Sequence, residues 1–219
     1  MAKRTQAPES IVDMFFHERE AYLSGFRYVA GIDEAGRGPL AGPVVAACVV
    51  LSQDDPIDGV ADSKVLTAAR RDVLHAQIIA RSMAYGIAIV DPETIDRVNI
   101  LQATLLAMRL AHANLLQTIC PDLVLIDGNA LPRIGNVQER ALVGGDGLSA
   151  SIAAASILAK VTRDRLMIEA AKTYPQYGFE SHKGYSCTQH MTALREHGPC
   201  PLHRRSFSPV SQTALQFPE

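Results

Sequence analysis

Residues 28–43 read Tyr-Val-Ala-Gly-Ile-Asp-Glu-Ala-Gly-Arg-Gly-Pro-Leu-Ala-Gly-Pro. An apolar run predicted as a strand over 27–33 ends in two adjacent acids, Asp33 and Glu34, and a Gly-Arg-Gly turn follows at once. What comes after the turn decides the fold class. A dinucleotide-binding fold needs a helix there, but Pro43-Val44-Val45 opens a β-branched run that reads as a second, fully buried strand over 44–51. The glycine spacing, G-x-G-x-x-x-G over 36–42, is also one residue too long for that fingerprint. Carboxylates are almost never buried without a partner, so two of them at the end of a buried strand point to a metal site. Arg37, flanked by glycines, points to a phosphate close to the backbone.

Working outward, residues 1–9 are polar and read as a frayed end, and Ser10–Leu23 carries apolar residues at near-helical spacing. A loop to Ser63 precedes a helix over 67–82 and a strand over 84–90 that Asp91-Pro92 stops. Asn99 caps a long helix to about Thr118, with Gln102 three residues on. A fourth strand, 123–126, runs into Asp127, and a short strand near 140–143 leads to Gly144-Gly145-Asp146-Gly147. Ser149 opens a helix to about Ala171, and the loop-rich tail from Tyr174 holds one helix near 188–197. This order predicts an α/β fold, a mixed β-sheet flanked by helices with a C-terminal helical segment. The 219 residues read as a single domain, with a core over 10–172 and a C-terminal segment over 173–219.

Bulk composition excludes several classes. Apolar residues make up 47% and charged residues 20%, as in ordinary globular proteins. The net charge of −2 gives no global attraction to a polyanion. Charge is unevenly spread, however: residues 160–205 hold eight Lys/Arg against four acids, and four of the seven histidines. The cysteines at 48, 120, 187 and 200 lack metal-ligand spacing and read as reduced thiols in a cytoplasmic protein. The longest strictly apolar run, 44–51, is too short to span a membrane, and the N-terminus shows no signal region.

Three predicted strands deliver an acid at or just past their end: Asp33 with Glu34, then Asp127, then Asp146. Side chains that carry chemistry gather at strand ends in α/β sheets. Four converging carboxylates repel one another unless cations neutralise them, and hard oxygen-seeking ions such as Mg²⁺ or Mn²⁺ do so. A pair of such ions about 3.5–4 Å apart promotes in-line displacement at phosphorus. An acid beside a turn glycine is usually only a turn residue, so the weight lies on the three strand ends together. The glycine turn also lets a nucleic-acid backbone approach, where main-chain groups can read a ribose 2′-OH.

The chain resembles type 2 ribonuclease H (ribonuclease HII) in Asp33–Pro43, Asp62-Ser63-Lys64, Asn99-Ile-Leu-Gln-Ala-Thr104, Ser151–Asp164 and His182-Lys-Gly-Tyr185, in family order. The resemblance implies an RNase H-like fold whose C-terminal segment completes the substrate face. It implies metal-dependent cleavage of RNA in RNA–DNA hybrids and 5′ of single ribonucleotides embedded in duplex DNA, leaving 3′-hydroxyl and 5′-phosphate ends. Asp33, Glu34, Asp127 and Asp146 become catalytic, metal-binding acids for Mg²⁺ or Mn²⁺. Gly36, Arg37 and Gly38 become sensors of the 2′-OH, and Tyr185 stacks on the sugar of the next deoxynucleotide. On its own position, Lys64 either contacts phosphate or is a solvated loop lysine, and Lys183, two residues before Tyr185, reads as a further substrate contact. The chain departs from the family at Gly144 and Val65, where lysine is usual. The type 3 sister enzyme carries Gly-Lys-Gly in place of Gly36-Arg37-Gly38 and a substantial N-terminal domain; a non-catalytic hybrid-binding module is the rival of another class. The tail Gln212-Thr-Ala-Leu-Gln-Phe217 resembles a clamp-binding box, which implies a sliding clamp as partner. The expected molecule is a monomer without membrane attachment.

Three further readings stay open on sequence alone. Lys160 and Arg163 share a helix face and either bind phosphates or form a charged outer surface. Arg204-Arg205 either meets duplex backbone or covers the C-terminal surface. His190, His197 and His203 read as surface or capping residues.

Overall fold

The computed structural model describes residues 13–60, Ser63 and residues 66–214. The helices are α1 (Phe16–Leu23), α2 (Ala68–Arg81), α3 (Pro92–Val98), α4 (Ile100–Leu115), α5 (Ala150–Thr173), α6 (Phe179–His182), α7 (Thr188–His197) and α8 (Val210–Ala214). The strands are β1 (Val29–Ala35), β2 (Val44–Val50), β3 (Ala84–Val90), β4 (Leu123–Asp127) and β5 (Gln138–Leu142). They form one sheet in the order β3-β2-β1-β4-β5. The β1–β2 and β2–β3 pairs are antiparallel, while β1–β4 and β4–β5 are parallel. This is the mixed sheet that the sequence predicts.

The two sheet faces are covered differently. Ala30, Ile32, Val44, Ala46 and Cys48 pack with α4 residues Ala103, Ala107 and Ala111. Val45, Ala47 and Val49 pack on the other face with the alanine-rich start of α5. That half of α5 is buried all round, which is why its sequence has no polar stripe. Gly31 of β1 permits the contact: a Cβ there would lie 2.2 Å from the backbone of Ser151 and Ile152. The sheet and α5 therefore touch backbone to backbone, and the end of β1 is set against Ser156.

Asn99 caps its helix as predicted, and Thr67 and Ser149, read only as helix starts, prove to be caps as well. Thr67 accepts from Arg70 N–H at 3.3 Å, Asn99 from Gln102 N–H at 3.1 Å, and Ser149 from Ile152 N–H at 3.3 Å. Two local expectations change. Asp91-Pro92 does more than stop β3: Asp91 caps α3, accepting from Thr94 N–H at 2.7 Å, with Pro92 in the first turn, where its missing N–H costs nothing. The N-terminal helix starts at Phe16, after a turn in which Asp13 accepts from Phe15 N–H; positions 1–12 lie outside the described residues.

Helix α1 is tied to α5 by a group absent from the sequence reading. Glu18 is buried, and its Oε1 accepts from Ser149 Oγ (2.6 Å), Ser151 N–H (2.9 Å) and Ser151 Oγ (2.6 Å). The carboxylate sits at the N-terminus of α5, where the helix dipole favours negative charge. Replacing Glu18 by Ala leaves these donors unpaired and is expected to lower the melting temperature by roughly 5–10 °C. Glu18→Gln, which keeps an acceptor, is expected to lose less, as differential scanning calorimetry would show.

Candidate active site

Parallel pairing of β1 with β4 places the ends of the two strands side by side: Ile32 pairs with Ile126, so Asp33 and Asp127 emerge as neighbours. Asp146 arrives from the 3-10 turn Gly145–Gly147, just beyond β5, which lies on the other side of β4. One carboxylate oxygen from each of Asp33, Asp127 and Asp146 lies within 4.8 Å of the others. Gly145 N–H donates to Asp127 Oδ1 at 2.7 Å and Glu34 N–H to Asp33 Oδ1 at 2.7 Å, which orients both groups.

Glu34 stands apart from that group for a geometric reason. Successive strand residues point to opposite faces, so Asp33 faces α5 and Glu34 faces α4. Ser156 of α5 hydrogen-bonds Asp33, while Glu34 shares a small cavity with Thr104, Met108 and Asp127 and accepts from Arg37 Nη1 at 3.2 Å. Burial, then the charges of Glu34 and Asp127, push the Asp33 carboxyl well above the usual carboxylate range. Burial likewise raises Glu34, and the Arg37 guanidinium opposes the shift. Partly buried, all-oxygen donors crowded in this way fit a hard divalent cation such as Mg²⁺ or Mn²⁺.

A cleft of about 450 Å³ joins these acids to most of the other predicted site residues. Asp33, Glu34, Asp127, Gly36, Arg37, Gly38 and Tyr185 all line it, with Ser63, Arg71, Ser156 and Lys160. Tyr185 is 45% exposed, and a Cβ on Gly38 would lie 3.8 Å from its ring. Lys183 does not line this cleft. It borders an adjoining groove of about 680 Å³ that shares Arg71, Lys160 and Tyr185, and its ammonium donates to the Glu180 carbonyl. Asp62, Lys64 and Val65 lie outside the described residues, but Ser63 between them bonds Ser156 Oγ at 2.8 Å. Gly144, where the family usually has lysine, adopts a left-handed conformation with φ +68° and faces open space.

Two arginines hold the glycine turn, and here the structure corrects the sequence reading. Arg163 and Arg204 are 1% and 0% exposed, so neither forms an outer surface nor meets phosphate. Arg204 donates to the carbonyls of Gly42 (2.9 Å), Arg37 (2.9 Å), Gly36 (2.5 Å) and Pro43 (3.2 Å). Arg163 donates to Pro43 (2.9 Å), Ala41 (3.0 Å) and Lys183 (3.0 Å). Among the described residues neither pairs with a carboxylate; burial pulls the Arg204 guanidinium down to about 9. A trans peptide points its C=O and N–H opposite ways. Drawing the Gly36 and Arg37 carbonyls toward Arg204 therefore turns the N–H groups of Arg37 and Gly38 away from it. Gly36 is glycine for two reasons: φ is +97°, and a Cβ would lie 2.0 Å from Arg163 Nε. The pattern Gly-Arg-Gly advertised a contact, but nothing in a linear reading links residues 36–43 to position 204.

The remaining expectations about polar residues divide. Lys160 is held by Asp164 at 2.7 Å on the cleft rim. His190 and His203 are buried, against the expectation of surface or capping residues, whereas His197 is exposed. All four cysteines are free thiols.

A family model described as Ribonuclease HII matches residues 30–210. The chain belongs to the ribonuclease HII family. It is 57% identical over 184 residues to ribonuclease HII of Polaromonas sp. (strain JS666 / ATCC BAA-500), covering 84% of this chain and 91% of that one. Among solved structures it resembles ribonuclease H2 from Pyrococcus horikoshii OT3, with a TM-score of 0.72, 28% identity and coverage of 87% and 99% of the two chains. It also resembles the ribonuclease HII solved in a PCNA:RNase HII complex from Archaeoglobus fulgidus, with a TM-score of 0.70, 26% identity and coverage of 83% and 96%. The RNase H-like fold implied by the sequence motifs is thus confirmed, and the type 3 and non-catalytic alternatives fall away. As a ribonuclease HII the protein is a metal-dependent nuclease that hydrolyses phosphodiester bonds in the RNA strand of RNA–DNA hybrids.

Arg204→Lys tests the carbonyl clamp. A lysine keeps the charge but has no planar fork to reach four carbonyls, so hybrid cleavage is expected to fall by about tenfold or more. Steady-state kinetics on a hybrid, beside a thermal melt, measures this.

Proposed function

We propose that this ribonuclease HII also cleaves 5′ of single ribonucleotides embedded in duplex DNA, leaving 3′-hydroxyl and 5′-phosphate ends. The observation that carries the reading is one cleft lined at once by Asp33, Glu34 and Asp127, by the backbone of Gly36–Gly38, and by the half-exposed Tyr185 ring. Asp33, Glu34, Asp127 and Asp146 would hold two divalent ions, Mg²⁺ or Mn²⁺. Two such ions lower the pKa of an attacking water and stabilise the departing oxygen. The protein's own groups position the substrate. The outward N–H groups of Arg37 and Gly38 meet the ribose 2′-OH or the adjoining phosphate, and Arg37, braced by Glu34, adds charge. Tyr185 packs against the sugar of the next nucleotide, where a 2′-OH would clash. Lys183 and Lys64 contact the strand beyond.

Residues 1–219 act as one domain, with 173–219 completing the substrate face through Arg204 and Tyr185. The protein works in the cytoplasm as a monomer; among the described residues no helix is long and apolar enough to cross a membrane. A sliding clamp is proposed as partner through the tail box, supported by the Archaeoglobus relative solved with PCNA. Its Gln212–Ala214 part belongs to α8, and Leu215–Phe217 lie outside the described residues.

The deciding assay is cleavage of duplex DNA containing one ribonucleotide, beside a continuous hybrid, with EDTA as control. Specific 5′ nicking that EDTA abolishes supports the reading; an intact mixed duplex beside a cleaved hybrid overturns it. Asp33→Asn or Asp127→Asn is expected to lower turnover by about three orders of magnitude or more with hybrid binding retained, as a gel-shift assay would report. Gly38→Val, whose side chain would enter the gap beside Tyr185, is expected to depress nicking at a lone ribonucleotide more than cleavage of a continuous hybrid.

A further inference from the structure

The C-terminal segment holds a cluster of three imidazoles, two buried and one half-buried, that nothing above uses. His190 and His203 lie with their Nε2 atoms 3.0 Å apart, and the His182 ring stacks on His190 with centroids 4.6 Å apart and an interplanar angle of 15°. Phe179 and Tyr177 complete the enclosure. Burial is the leading cause that holds His190 below the ordinary histidine value and His203 down at about 3. Both rings are therefore neutral near pH 7, and each carries one N–H.

Main-chain partners decide where those protons sit. Cys200 N–H donates to His203 Nδ1 at 3.0 Å, with the Cys200 thiol 3.2 Å from the same atom. A backbone N–H can only donate, so His203 Nδ1 is an acceptor and its proton is on Nε2. At the other end, His190 Nδ1 lies 2.9 Å from the Tyr185 carbonyl. A carbonyl can only accept, so His190 carries its proton on Nδ1 and offers Nε2 as acceptor. The two assignments, made independently from opposite ends, are complementary in the middle: His203 Nε2–H donates to His190 Nε2. The result is a one-way chain, Cys200 N–H to His203 to His190 to the Tyr185 carbonyl. His182 adds a second grip on the same segment, accepting from Gly184 N–H at 3.2 Å and donating to the Tyr177 carbonyl at 2.8 Å.

The end of this chain matters because the Tyr185 side chain is only partly covered by its neighbours. It is half exposed, with the Arg163 guanidinium 5.8 Å from its centroid and the Gly38 position beyond. Its backbone is held on both sides: the Tyr185 N–H donates to the His182 carbonyl at 2.9 Å, and its carbonyl accepts from His190. Buried hydrogen-bonded networks in which every member is satisfied hold one geometry, because any slip leaves an unpaired group.

We propose that His190 and His203 are positioning residues for ribonucleotide discrimination, acting as a directional hydrogen-bond chain that fixes the Tyr185 main chain and so the ring against the sugar. The proposal rests on the sugar-packing reading of Tyr185, and its test separates the two.

In ¹⁵N-histidine-labelled wild-type protein, long-range ¹H–¹⁵N spectra should show His190 protonated at Nδ1 and His203 at Nε2; the opposite tautomer at either residue overturns the chain. In kinetics, His190→Leu is expected to lower kcat on a duplex with one ribonucleotide about tenfold more than on a continuous hybrid, with KM little changed. His190→Asn, whose amide N–H stands near the Nδ1 position, should recover most of that loss. In a Tyr185→Ala background, His190→Leu should change the substrate ratio by less than about twofold, since the two act as one unit. A folded His190→Leu enzyme that keeps the wild-type ratio overturns the proposal, as does an equal extra loss in the Tyr185→Ala background. Should His190→Leu not fold, the spectra and the His190→Asn kinetics still decide. Tyr185→Ala that keeps the wild-type ratio overturns the sugar-packing reading instead; loss in Tyr185→Ala beside no change in His190→Leu overturns the chain alone.

Discussion

Buried carbonyls must be paired, and residues 36–43 present a run of them that belongs to no sheet ladder. Arg163 and Arg204 supply the donors, one from the middle of α5 and the other from beyond α7. Each is a cation solvated by main-chain oxygens instead of by a carboxylate. That choice leaves the loop with outward N–H groups and a positive interior, a surface suited to a polyanion although the chain as a whole carries −2. It also ties the C-terminal segment to the site, because Arg204 reaches four carbonyls of that loop.

The same economy of backbone partners runs through the acids. Asp33 and Asp127 are brought together by parallel pairing of β1 and β4, and Asp146 follows β5 on the next line of the sheet. Burial and mutual repulsion push Asp33 upward, which is the electrostatic counterpart of a place for cations. The pleat sends Glu34 to the other face, where it meets Arg37. One adjacent acid pair thus serves two environments: Asp33 in the tight cluster and Glu34 between that cluster and the arginine on the cleft wall.

Much was legible from local pattern. The β-branched run after Gly42 excluded a dinucleotide fold, Thr67, the cap Asn99 and Ser149 marked three helix starts, and the motif residues identified the family. Helix α3 was missed because Asp-Pro was read only as a stop, although the same pair is a good helix start. His190 and His203 were misplaced, while His197 was not, because a His beside polar residues looks like surface until its neighbours in space are known. Glu18 gave no signal at all: one acid among several in a polar helix, it is buried only because two serines from 131 and 133 residues away close over it.

Taken alone, the sequence determined the strand order, the longer helices, the mixed sheet, the placing of four acids at strand ends and the glycine turn, since each rests on periodicity, capping or motif within a few residues. Tertiary structure alone decided that three acids cluster while Glu34 faces away. It alone turned Arg163 and Arg204 from surface charges into an internal clamp and joined Cys200, His203 and His190 to Tyr185. The physical reason is the same in each case. Burial and hydrogen-bond partners are properties of neighbours in space, and these neighbours lie as many as 168 residues apart along the chain.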